Sequence, residues 1–207
     1  MEIAPQIEGL LGLPAVSWRG VVLFAHGSGS SRFSPRNTQV AARLRAVGLV
    51  TLLFDLLTEK EGRSRARVFD VPLLAQRLRR ATVFVTGLPE MAGLPVGYFG
   101  ASTGAAAAMV AAAEPGLRIG AVVVRGGRVD LAGSALEQVR APTLLIVGAE
   151  DTEVLELNRA ARTRLRCPSA LSVVPGAGHL FDEPGAMQEV VMLTLSWFLR
   201  HLALPDA

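Results

Sequence analysis

Three residues that could together activate a nucleophile stand far apart in the sequence, each beside glycines. Ser102 lies in Gly100-Ala101-Ser102-Thr103-Gly104, Asp151 in Gly148-Ala149-Glu150-Asp151, and His179 in Gly176-Ala177-Gly178-His179. A serine hydroxyl attacks poorly until a positioned base removes its proton. An imidazole can do this, and a carboxylate behind it holds the right tautomer and stabilises the cation that forms. The chemistry expected is therefore acyl transfer through Ser102, with His179 as base and Asp151 as the orienting acid. Each residue also has a plainer reading. Ser102 could be incidental in a tight strand-to-helix turn, and Asp151 or Thr152 could simply cap a helix. Glu150 is the local rival for the acid. Of the other two histidines, His201 is expected near the exposed end of a helix, and His26 is expected to be structural, at a strand end.

The oxyanion of such a reaction needs backbone donors. G-x-S-x-G places the amide after the serine, here Thr103, towards it. His26-Gly27-Ser28-Gly29-Ser30 follows the first strong strand, where the second amide is expected. The amide of Ser28 is the choice and Gly29 its nearest rival. A dinucleotide turn would need a small residue at the sixth position of G-x-G-x-x-G, where Arg32 stands. No Walker-type phosphate loop occurs, so no cofactor is expected. One cysteine and three scattered histidines give no closed ligand set, so no metal is expected. Gly29, Arg32 and Arg125 are the candidate substrate contacts. Arg32 and Arg36 after the glycine-rich loop, with Arg125 and Arg128 after a later strand, could select a carboxylate or phosphate. Their plainer reading is solvation, or pairing with Asp130 or Asp182.

Positioning these residues requires strands that end beneath them. Continuous apolar runs at Val21–Ala25, Val50–Phe54, Val96–Phe99, Ala121–Val124, Thr143–Val147 and Leu171–Val174 read as strands buried on both faces. Between them lie helical patterns: Val40, Leu44 and Val47; Val71–Ala81; Ala105–Ala113; Val154 to Leu165; and Ala186–Leu202. The alternation predicts one α/β domain over residues 1–207, a mostly parallel sheet with helices on both faces. Two short antiparallel edge strands are expected within residues 1–18. No long insertion interrupts the pattern, so little or no cap is expected. Ser102, Asp151 and His179 each follow a different strand, on the sheet edge where α/β folds bind ligands.

Composition narrows the rest. The net charge of +3 is mild, and Lys60 is the single lysine among scattered arginines. With few aromatics and no reading motif, nucleic-acid binding is not expected. Cys167 is alone, so no intrachain disulfide can form. The longest apolar runs are too short to cross a bilayer. No signal peptide is read at Met1–Pro5, and a cytoplasmic location without membrane partners is expected.

The sequence resembles α/β-hydrolases of the dienelactone-hydrolase-like superfamily, in particular short serine hydrolases sometimes fused to phosphoribosyltransferase domains. The similar stretches include Val22–Arg32, Ser34-Pro35-Arg36-Asn37, Leu53–Glu59, Phe99–Ala105, Ala141–Asp151 and Val174–Gly185. The resemblance implies the α/β-hydrolase fold and the triad Ser102, Asp151 and His179. Two departures matter. The namesake enzymes carry a cysteine nucleophile where Ser102 stands, so dienelactone cleavage is not implied. Lys60 and arginines fill Glu59–Arg67 where a more acidic stretch is expected, and that segment is read as a loop. No phosphoribosyltransferase domain is read in these residues. The expected activity is carboxylesterase-like hydrolysis of a small-molecule ester through an acyl-enzyme. An acyltransferase using the same triad, or a non-catalytic binding protein on the same scaffold, are the alternatives.

Overall fold

The computed structural model describes residues 1–4 and 6–202. Eight strands form one sheet: β1 (Glu2–Ala4), β2 (Ile7–Gly12), β3 (Gly20–Ala25), β4 (Leu49–Phe54), β5 (Val96–Ala101), β6 (Ile119–Arg125), β7 (Thr143–Gly148) and β8 (Ser169–Val174). Their spatial order is β1-β2-β4-β3-β5-β6-β7-β8. β1 and β2 pair antiparallel, and β2 joins β4 antiparallel. All remaining pairs are parallel. The two amino-terminal edge strands, the parallel centre and the alternation with helices agree with the sequence reading.

The pleat explains why the central strands are apolar throughout. Val21, Leu23 and Ala25 of β3 face one layer, whereas Val22 and Phe24 face the other. β6 divides in the same way, with Val122 and Val124 opposite Ala121 and Val123. On the second face lie α1 (Pro35–Ala46) and α7 (Ala186–His201), which contribute Val40, Leu44, Val190 and Phe198. The first face is covered by α4 (Val71–Thr86) and α5 (Thr103–Ala113), with Ala161 of α6 (Thr152–Arg164) in the same layer. α5 is alanine-rich and buried almost all round. Short side chains let its axis lie close to the sheet, which draws its first turn down onto the end of β5.

Local chemistry fixes the helix starts. Ser34 accepts the Asn37 amide at the head of α1, and Asp70 accepts that of Leu73 at the head of α4. The segment read as a loop holds two one-turn helices, α2 (Glu59–Gly62) and α3 (Arg65–Val68). Thr58 and Glu61 close a reciprocal capping box on α2, and Glu61 then pairs with Arg77 of α4 at 3.1 Å. No described helix is long and apolar enough to cross a membrane.

Candidate active site

The chain turns sharply at Ser102, between β5 and α5. Ser102 has φ 49° and ψ −123°, a conformation that costs a non-glycine residue about 1–3 kcal/mol. Its neighbours hold it there. The Ser102 amide donates to the Arg125 carbonyl at 3.3 Å, and the Ser102 carbonyl accepts from Arg128 at 3.0 Å and Ala105 at 3.1 Å. Both motif glycines are sterically required. A Cβ on Gly104 would stand 2.1 Å from the Ala25 carbonyl oxygen, and one on Gly100 would stand 2.7 Å from Ala105 Cα. Gly27 is equally confined, because a Cβ there would meet Ser102 Cβ at 2.8 Å.

His179 and Asp151 come from the loops after β8 and β7. His179 Nδ1–H donates to Asp151 Oδ2 at 2.6 Å. A carboxylate only accepts, so this bond assigns the proton to Nδ1 and leaves the Nε2 lone pair available. Asp151 is largely buried, whereas His179 is more than a third exposed. Glu150 is exposed to solvent. Three contacts hold the histidine loop: Glu183 accepts the Gly178 amide at 3.0 Å, Asp182 receives Arg36, and the buried Phe181 plugs the core beneath. Ser102 and His179 line one cavity of about 470 Å³. Among the described residues Ser102 Oγ makes no hydrogen bond, and such contacts often tighten only in the substrate complex.

The glycine-rich loop is organised by His26. Its Nδ1–H donates to the Gly27 carbonyl at 2.9 Å, while Nε2 accepts the Leu56 amide at 3.1 Å. Acceptance at Nε2 requires the neutral ring, and burial lowers its pKa below the ordinary value. In a trans peptide the carbonyl and the next amide point opposite ways, so fixing the Gly27 carbonyl turns the Ser28 amide the other way. That amide makes no hydrogen bond among the described residues. Thr103 is the first residue of α5, and its amide has no intrahelical acceptor. Ser28 and Gly29 line both the 470 Å³ cavity and a neighbouring one of about 500 Å³. The neighbour is walled by Leu56, Leu57, Val68 and Leu74, and Thr103 also borders it.

The arginines named from sequence have different fates. Arg32 binds both Asp55 and Glu8, and its own amide donates to Asp55 at 2.8 Å. Its guanidinium is therefore engaged by carboxylates, at the rim of the neighbouring cavity. Arg36 holds Asp182 with two bonds of 3.0 Å, and Arg128 holds Asp130. Among the described residues Arg125 alone of these four has no carboxylate partner. It lines the Ser102 cavity at 8% exposure, with Nε buried and unpartnered. Burial, reinforced by the nearby Arg36 charge, lowers its pKa to about 10, partly countered by Asp182. It is still a cation at neutral pH. The sequence reading did not single out Asn158, which is fully buried and whose Nδ2 donates to the Gly127 carbonyl at 2.8 Å, bracing the Arg125–Arg128 turn. Its only sequence signal is an amide side chain among apolar helix positions. Among the described residues no three His, Cys, Asp or Glu groups cluster as metal ligands.

No protein-family model matches the chain. A dienelactone hydrolase from Anabaena variabilis is similar throughout. It has 52% sequence identity and a TM-score of 0.90, with 95% of this chain and 92% of that one covered. Est1E from Butyrivibrio proteoclasticus shares the fold at 14% identity and a TM-score of 0.79, with 94% of each chain covered. A Mycobacterium tuberculosis protein, provisionally named a phosphoribosyl transferase, is 58% identical over 187 residues. That stretch is 90% of this chain, which spans only 42% of the relative's length. A matching sheet, a serine at a strained strand-to-helix turn and an extensive likeness to a dienelactone hydrolase agree: the chain belongs to the dienelactone-hydrolase-like α/β-hydrolases.

Proposed function

We propose that the protein is a serine hydrolase that cleaves carboxylic esters through an acyl-enzyme. The observation that carries this reading is the 2.6 Å contact of His179 Nδ1 with Asp151, in a cavity that His179 shares with the strained Ser102. His179 Nε2 takes the Ser102 proton as Oγ attacks the ester carbonyl carbon. The oxyanion that forms is held by the amides of Ser28 and Thr103, a kind of donor worth about 2.7–4 kcal/mol when removed. Collapse expels the alcohol, which receives its proton from His179. Water then attacks the acyl-enzyme, giving a proton to His179, and collapse releases the acid and restores Ser102.

The open setting of His179 favours water as the second nucleophile. Labelling by a fluorophosphonate probe tests the reading. Wild type should label, whereas Ser102→Ala and His179→Ala should not, and a panel of esters should then show turnover. A folded wild type that neither labels nor hydrolyses any ester would count for a binding protein on this scaffold. Turnover that needs an added alcohol or amine acceptor would count for an acyltransferase.

A further inference from the structure

We infer that Arg125 forms an anion subsite beside Ser102, and that the ester cleaved carries a carboxylate or phosphate group bound there. This rests on the esterase reading of the same cavity and adds the class of substrate.

A guanidinium with little access to water normally has a carboxylate or a set of acceptors around it, because burying an unpaired charge is costly. Arg125 is 8% exposed, and none of its side-chain nitrogens has a hydrogen-bond or ion-pair partner among the described residues. The centroid of the Phe181 ring lies 5.6 Å from the guanidinium carbon. Among the described residues no Asp or Glu lines the cavity, and the nearby Asp182 is held by Arg36. Arg36, on the same wall, is already tied to Asp182, and Arg32 to Asp55 and Glu8. The cavity that holds the nucleophile thus keeps one buried cation without an anion.

The position is built rather than incidental. Arg125 ends β6 and is paired in register with Ala101, the residue before Ser102. Its own carbonyl receives the Ser102 amide. The Arg125 backbone is therefore fixed relative to the nucleophile by the sheet and by the Asn158 brace on Gly127. Across the glycine-rich loop, Leu56, Leu57, Val68 and Leu74 give the neighbouring cavity an apolar wall. An ester with an anionic group at one end and an apolar group at the other fits both.

The test compares mono-4-nitrophenyl glutarate with the neutral 4-nitrophenyl valerate on wild type, Arg125→Met and Arg125→Lys. The ratio of kcat/KM, glutarate over valerate, should fall at least about tenfold in Arg125→Met, the scale of one hydrogen bond to a charged group, and recover in part in Arg125→Lys. An unchanged ratio overturns the inference, whatever the absolute rates, and leaves Ser102-dependent valerate hydrolysis as support for the esterase reading. Thermal melting separates this from a structural role. Removing a buried cation that has no protein partner should leave the melting temperature of Arg125→Met equal or higher, whereas a drop of several degrees would mark a structural arginine and count against the subsite. If neither ester is hydrolysed, calorimetric titration with glutarate and with inorganic phosphate decides. Binding that is lost in Arg125→Met upholds the anion site while the esterase reading falls, and absence of such binding overturns it. Tighter binding of glutarate would assign a carboxylate, and tighter binding of phosphate a phosphate monoester.

Discussion

Asp151 Oδ2 lies 2.6 Å from His179 Nδ1, although 28 positions separate the residues. They are brought together because β7 and β8 are hydrogen-bonded neighbours that end side by side, with Gly148 paired to Val174. The Glu150 amide then donates to the Ala177 carbonyl at 3.0 Å, locking the two loops together. Gly148 permits this approach, since a Cβ there would stand 2.1 Å from the Ala177 carbonyl oxygen.

If this bond sets the tautomer, Asp151→Asn should lower kcat for 4-nitrophenyl esters by about 10³–10⁴-fold at neutral pH. Glu150→Gln, whose side chain faces solvent, should stay within about twofold. Initial rates on both variants decide it, and a large loss in Glu150→Gln with a small one in Asp151→Asn would reverse the assignment.

The glycine-rich loop should respond to acid through His26. The buried ring has a lowered pKa when folded, so between its ordinary value near 6.5 and the lower folded value the unfolded chain binds more protons. Stability therefore rises with pH across that window and is lost as pH falls below about 6.5. Melting temperatures of wild type should drop more between pH 7.5 and 5.5 than those of His26→Gln. Parallel curves would remove His26 as the source.

Steric demand at the elbow can be separated from backbone strain by two alanine substitutions. In Gly104→Ala the new methyl would run into the Ala25 and His26 carbonyl oxygens, and the loss of stability should reach about 3 kcal/mol or more, the upper range for overpacking. Gly29 has φ +68° and open space around it, so Gly29→Ala should cost only the left-handed backbone term of about 1–2 kcal/mol. Denaturant midpoints compare the two, and equal losses would contradict the packing argument.

Asn158 braces the Arg125–Arg128 turn from below through the Gly127 carbonyl. Asn158→Leu keeps the bulk but leaves that buried carbonyl without its donor, and should cost about 1–3 kcal/mol. A urea midpoint shift at unchanged slope would show it, and an unshifted midpoint would mean the turn is held without Asn158.

The strands, their alternation with helices and the residues at the strand ends are legible in the sequence. Apolar runs such as Val21–Ala25 leave no face for water, and Gly100 and Gly104 around Ser102 admit the turn that the structure shows. Such signals are local, because burial and backbone sterics act on each residue where it stands. Thr58 and Glu61 are not singled out from sequence, and the arginines that follow lead Glu59–Arg67 to be read as a loop where two short helices stand. The strand order and the partners of the arginines emerge only once the chain is folded in space. Arg36 meets Asp182 across 146 positions, and Arg32 reaches back 24 to Glu8 and forward 23 to Asp55. Ion pairing depends on separation in space, which the parallel crossovers set and which sequence distance does not encode. That is why four arginines that read alike in the sequence end as three paired residues and one, Arg125, that among the described residues keeps its charge beside Ser102 without a partner.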